Sequence, residues 1–172
     1  MRPKSNQGTT VLGLLLLSGC GGGNVPAVAP AVAPVVAAPA RGTLLRNPPQ
    51  LVSTVTAGEL LVQLSTAANQ PLLGLSGAPL CDIADYHLEY NTVGGRGEAT
   101  TASAALMVPT GVDARCRGAR PVLLYAHGTT TNKAFNIADL SDAQNAEGLL
   151  LAALFAAQGY IVVAPNYAGY DS

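Results

Sequence analysis

Four kinds of residue in this 172-residue chain have the types and spacing that chemistry needs. The first is the turn His127-Gly128-Thr129-Thr130, which directly follows the apolar run Val122-Leu123-Leu124-Tyr125. A loop leaving the carboxyl end of a parallel strand carries its backbone amides to the crevice where open α/β sheets bind ligands. The second is the trio Asp85, His87 and Glu89, two carboxylates flanking an imidazole at alternate positions. Such a trio can hold a metal ion or raise a histidine pKa, but a solvated strand face carries the same residues, and that is the reading adopted. The third is Ser76 in Gly74-Leu75-Ser76-Gly77. A nucleophile elbow needs one residue between serine and the second glycine and an apolar strand before it; neither is present, so Ser76 reads as an ordinary loop serine. The fourth is the pair Cys81 and Cys116, whose spacing fits no common zinc pattern.

The elements that must position these residues follow from periodicity. Val122 to Tyr125 and Tyr160 to Pro165 are short apolar runs of the kind buried on both faces of a sheet. Between them Ser141-Asp142-Ala143-Gln144 has the form of a capping box, and a helix from about Asp142 to Gln158 is expected, with Gly159 as its left-handed terminator. A strand, helix, strand unit of this length makes its strands parallel. Upstream, Ile83 to Thr92 alternates, with Tyr86, Leu88 and Tyr90 on one face and the acidic trio on the other. Val93-Gly94-Gly95-Arg96-Gly97 is a turn, and Glu98 to Val108 returns as a second strand, so an antiparallel hairpin is expected. Thr56-Ala57-Gly58-Glu59 is another capping box, opening a helix from Ala57 to about Ala67 that Asn69-Gln70-Pro71 ends. Arg41 to Val55, with Pro48-Pro49, reads as an irregular lead-in, and Arg115, Arg117 and Arg120 as solvating a polar loop.

Taken together, Pro121 to Gly128, the alanine-rich helix and Gly159-Tyr160-Ile161-Val162-Val163-Ala164-Pro165-Asn166-Tyr167-Ala168-Gly169-Tyr170-Asp171-Ser172 resemble the early half of an α/β-hydrolase, more narrowly the secreted bacterial lipases and esterases and the secretory lipase family. The resemblance covers roughly residues 71–172. It implies an α/β fold: the N-terminal part of a hydrolase sheet, a hairpin followed by a parallel unit, ending before the nucleophile elbow. It implies acyl ester or lipid as substrate and no cofactor. It also implies that the loop His127, Gly128, Thr129, Thr130 helps to bind the oxyanion, with the donor amide from Thr129 or Thr130 and Gly128 permitting close approach. In such enzymes the histidine of the His-Gly step shapes the loop, and the base lies far downstream. The family's strand order places the fourth strand beside the second and the third outside it, so Val122 to Tyr125 is expected as an exposed apolar edge. No Gly-x-Ser-x-Gly occurs in the 172 residues, so nucleophile, acid and base are expected to be absent and the chain inactive alone. A peptidase on the same fold, or a non-catalytic surface lipoprotein, stays open. Asn166 stands where the family usually has aspartate.

The leader gives a second line of argument. Arg2 and Lys4 precede an apolar core, Val11 to Leu17, and Leu17-Ser18-Gly19-Cys20 has the form of a lipobox, so residues 1–20 are expected as a lipoprotein signal peptide with Cys20 the lipidated residue. Residues 21–40, rich in Ala, Val and Pro, are expected as a semi-stiff tether, and 41–172 as the partial hydrolase domain. Membrane attachment through Cys20 and a periplasmic or outer-surface location follow. In an exported chain, Cys81 and Cys116 are expected to form a disulfide, stabilising by about 4 kcal/mol in the chain-entropy model. No basic patch with interleaved aromatics occurs, so nucleic acid is not expected as a partner.

Overall fold

The computed structural model describes residues 40–142 and 145–170. The signal segment 1–20 with Cys20, the tether up to residue 39, and Ala143-Gln144 of the second capping box lie outside the described residues. Five strands form one sheet: β1 (Gln50–Val55), β2 (Asp82–Val93), β3 (Ala99–Thr110), β4 (Val122–Leu124) and β5 (Ile161–Tyr167). Their order is β1-β2-β3-β5-β4, all neighbours antiparallel except β4 and β5, which run parallel. The expected hairpin is therefore present as β2 and β3, and the expected parallel pair as β4 and β5. The structure belongs to the α/β class, as the sequence implies.

Register decides which side chains face the helices. Ile83 and Asp85 on β2, Ala105 and Met107 on β3, and Val162 and Ala164 on β5 fall on one face through the pairs Asp85 with Met107, Ala105 with Ala164, and Met107 with Val162. Three helices cover it: α1 (Ala57–Leu64), α2 (Gln70–Ser76) and α3 (Ala146–Leu154). Leu60 and Leu64 of α1 and Leu151, Ala152 and Ala153 of α3 join Ile83, Met107 and Val162 in the buried core, with Leu72 and Leu73 of α2 packed against it. The alanines of α3 let the helix lie close to the sheet, which explains a segment apolar nearly all round. β4 is the outer strand, and Val122 and Leu124 are 65% and 72% exposed.

Helix α1 begins as expected. Thr56 Oγ1 accepts from the Glu59 amide at 3.1 Å and the Glu59 carboxylate accepts from the Thr56 amide at 2.8 Å, a reciprocal cap. The Cys81–Cys116 disulfide is present, with Cα atoms 5.5 Å apart and both residues buried. It ties the start of β2 to the loop before β4. That loop lies against Gly159, which closes the turn after α3 at φ +102°; a Cβ there would meet the Arg115 carbonyl oxygen at 2.7 Å.

Five expectations are corrected. The lead-in contains β1, an edge strand paired with residues 83–87 of β2. Pro71 does not end a helix but stands in the first turn of α2, where its missing N–H costs nothing. Ser76 accordingly closes a helix rather than sitting in a loop, and its hydroxyl donates to the Gly77 carbonyl at 2.9 Å. Asn145, not Ser141, caps α3: its Oδ1 accepts from the Gly148 amide at 2.9 Å, while Ser141 Oγ donates to Asp139. Finally, Asp85 is not solvated. It is 0% exposed, on the face that the helices cover, and among the described residues no group of three His, Cys, Asp or Glu side chains is placed to hold a metal ion.

Candidate active site

The His127 turn leaves the carboxyl end of β4, beside the carboxyl end of the parallel β5. Tyr125, just past β4, still donates its amide to the Val163 carbonyl at 2.9 Å, so the pairing runs up to the turn. His127 is buried, and each ring nitrogen faces a backbone carbonyl: Nδ1 lies 2.6 Å from Gly128 O and Nε2 3.3 Å from Asn166 O. Tyr167 stacks on the imidazole at 4.2 Å, Phe135 packs at 4.8 Å and Tyr170 meets it edge-on at 5.7 Å. With both nitrogens facing carbonyls and three rings around it, His127 has no nitrogen free for substrate. Its position suits a loop-shaping residue and not a general base.

The segment after β5 clamps the loop from outside. Tyr167 OH donates to the His127 carbonyl at 3.1 Å and Tyr170 OH to the Thr130 carbonyl at 2.5 Å, while Lys133 Nζ sits 4.8 Å from the centre of the Tyr170 ring. Tyr167 has φ +63°, a left-handed conformation costly for a residue with a Cβ, which the surrounding contacts enforce. From inside, Glu147 in the first turn of α3 accepts from Tyr125 OH at 2.9 Å and, more weakly, from the Gly128 amide at 3.3 and 3.4 Å. Burial first, then the bond to Glu147, raises the Tyr125 pKa above its ordinary value. The Gly128 amide is thus directed at Glu147, whereas no acceptor among the described residues takes the amides of Thr129 or Thr130. Thr130 Oγ1 accepts from the Asn132 amide at 3.1 Å, which turns the chain away beyond them.

Beneath the loop lies Asn166, fully buried. Its Oδ1 accepts from the Ile137 amide at 2.9 Å, and its Nδ2 donates to Ser103 Oγ at 2.8 Å and to Asn136 Oδ1 at 3.1 Å. With its own carbonyl facing His127, it ties β5 to β3, to the loop 127–130 and to the segment 136–137. Sequence reasoning gave Asn166 and Glu147 no such part. For Asn166 the one available signal was its place in Pro165-Asn166-Tyr167; for Glu147 there was none. The arginines also do more than solvate: Arg120 Nη1 donates to the Cys116 carbonyl at 2.9 Å and to Pro109, Arg117 donates to Val112, and Arg115 pairs with Asp113 at 3.3 Å. They brace the loop beside the disulfide.

The mixed sheet, with its parallel outer pair and a loop leaving its carboxyl end, is similar to part of the fold of a solved esterase. The crystal structure of the rice cell wall degrading esterase LipA from Xanthomonas oryzae matches 77% of this chain at 30% sequence identity and a TM-score of 0.58. A ligand-bound form of the same esterase matches the same share at 30% identity and a TM-score of 0.56. The chain spans about 30% of that esterase's length. No family model and no curated protein matches the chain.

Proposed function

We propose that this chain is the N-terminal part of an exported serine ester hydrolase and supplies one donor of its oxyanion site, the amide of Thr129 or of Thr130. The observation that carries the reading is the pair of amides, with no acceptor among the described residues, in the loop past the carboxyl end of β4 that Tyr167 and Tyr170 bond to. Such donors stabilise the charge on an acyl oxygen as a tetrahedral intermediate forms. Nucleophile, acid and base are not among these residues: no serine of the 172 lies in Gly-x-Ser-x-Gly, and both His127 nitrogens face backbone carbonyls. In the resembled fold the elbow strand pairs with the outer edge of β4, where Val122 and Leu124 are exposed. The substrate is an acyl ester, and Cys20 carries the lipid that anchors the protein at a membrane.

The test is p-nitrophenyl butyrate hydrolysis by the 172-residue chain and by a polypeptide that continues its reading frame. The proposal expects no turnover above background from the first and enzyme-like turnover from the second. A stop codon directly after Ser172, or an inactive longer product with no elbow, sinks it. Incorporation of labelled fatty acid into wild type but not into Cys20→Ser tests the anchor separately.

A further inference from the structure

A cleft of about 210 Å³ opens between β2, β3 and the segment after β5, lined by Glu89, Thr101, Ser103, Gly169 and Tyr170 among others. Glu89 and Ser103 are opposite one another in the β2–β3 register and Thr101 follows two residues away, so the three side chains share a face. Tyr170 also donates to the Thr130 carbonyl, which sets the cleft beside the loop 127–130. Ser103 is 4% exposed, and its Oγ accepts from Asn166 Nδ2 at 2.8 Å, so its own hydroxyl hydrogen has no acceptor among the described residues. Buried polar hydrogens are nearly always paired, and here the acceptor must enter through the cleft. The β3–β5 register sets Ser103 opposite Tyr167 and Ala104 opposite Pro165, leaving Asn166 as the extra residue of a bulge that turns its side chain onto Ser103. The Glu89 carboxylate and the Thr101 hydroxyl also have no partner among the described residues. At the rim, Lys133 Nζ lies 4.8 Å from the centre of the Tyr170 ring and 3.8 Å from where a Cβ on Gly169 would stand, with no carboxylate in ion-pair range among the described residues.

We infer that this cleft binds a neutral polyol, and that in the hydrolase proposed above it takes the hydroxyl-bearing alcohol part of the ester. The link to the ester rests on that proposal, whereas polyol binding rests on the cleft alone. One carboxylate and one ammonium offset each other, so the cleft selects no net charge. Each hydroxyl of a polyol both donates and accepts. That pattern matches an acceptor at Glu89, donors at Ser103 and Lys133, and Thr101, which does either. An acyl chain in the same place would leave these groups dry and unpaired. The volume lies below the roughly 300 to 1,000 Å³ of clefts for drug-sized ligands, which suits a glycerol unit or a single sugar ring.

The test is titration of the isotope-labelled 172-residue chain with glycerol, with methyl α-glucopyranoside and with tetrahydropyran, a sugar ring without hydroxyls, read as amide chemical shifts. Saturable shifts at Thr101, Ser103 and Gly169 are expected with at least one polyol, the tighter of the two telling a glycerol from a sugar source, and none with tetrahydropyran. Glu89→Ala and Thr101→Val, both at exposed positions, are expected to weaken binding about 3- to 10-fold each, and Ser103→Ala about 10-fold. If Ser103→Ala unfolds the chain by orphaning Asn166, the two exposed variants carry the test. No saturable shift with either polyol, equal shifts with tetrahydropyran, or affinities unchanged in both exposed variants overturns the assignment. In a polypeptide that continues the reading frame, Thr101→Val is expected to lower kcat/KM for glyceryl monobutyrate about 3- to 10-fold and to leave ethyl butyrate unchanged. Ester turnover without polyol binding overturns the cleft alone, and polyol binding without ester turnover overturns the hydrolase reading while the cleft stands.

Discussion

Replacing Asn166 by alanine removes three side-chain hydrogen bonds at once, to the Ile137 amide, the Ser103 hydroxyl and the Asn136 side chain. Each is worth about 1 kcal/mol net, and a buried group left without a partner costs about 1 to 3 kcal/mol. Ile137 is fully buried and Ser103 is 4% exposed, so neither orphaned group reaches water easily, although Ser103 can rotate its hydroxyl. The sum comes to roughly 3 to 5 kcal/mol, a large part of a typical domain's 5 to 15 kcal/mol. Asn166→Asp keeps an acceptor for Ile137 and is expected to cost less. The assay is urea unfolding of the chain followed by circular dichroism, with hydrogen exchange read at the Ile137 amide. That amide is expected to exchange at the global unfolding rate in the wild type and to lose protection in Asn166→Ala beyond the global change. A loss under about 1 kcal/mol with Ile137 still fully protected refutes the claim that Asn166 holds this corner of the fold together.

Three other perturbations follow from the same structure. Asp85, raised to about 8 from 3.8, keeps a proton that the unfolded chain gives up, so its contribution to stability is complete below about pH 4 and falls as pH rises to about 8. The slope approaches about 1.4 kcal/mol per pH unit, and Asp85→Asn is expected to flatten the stability profile over that window; an unchanged profile counts against the burial argument. Gly159→Ala forces a Cβ to within 2.7 Å of the Arg115 carbonyl at φ +102° and is expected to cost about 2 kcal/mol in urea unfolding, with the loop 114–120 exchanging faster. Removing the disulfide as Cys81→Ala and Cys116→Ala lowers stability by about 4 kcal/mol, since the bridge closes a loop of 35 residues; a loss under about 1 kcal/mol would show that the loop stays closed without it.

How far residues alone reveal such a fold depends on whether a feature is local. The Thr56 and Glu59 cap, the β2–β3 hairpin and the parallel β4–β5 pair were legible because a few adjacent residues specify each. Proline was ambiguous: Pro71 has the same chemistry at the start of a helix as after its end, and only the packing of Leu72 and Leu73 on the core decides. β1 was missed because an edge strand with most residues exposed shows little hydrophobic alternation. Competition between Ser141 and Asn145 as cap went to Asn145, whose Nδ2 also donates to the Ile137 and Asp139 carbonyls at 3.0 and 2.9 Å, contacts invisible before the segment folds back. The alternation at Asp85 told correctly which residues share a face but not which face is covered. At the candidate site, the position of the loop was readable and its supports were not, since Glu147 and Asn166 act from 19 and 29 or more residues away along the chain.

The central claim is that the amide of Thr129 or of Thr130 stabilises negative charge on an acyl oxygen. Its most direct measurement is kcat for p-nitrophenyl butyrate in the catalytically complete polypeptide, comparing Thr129→Pro and Thr130→Pro, which delete an amide hydrogen, with Thr129→Ala and Thr130→Ala, which keep it. The account expects at least one proline variant to lose about 100- to 1000-fold in kcat with KM little changed, while the alanine variants stay near wild type. Proline variants within a few-fold of wild type, or alanine variants that lose as much as proline, would contradict it.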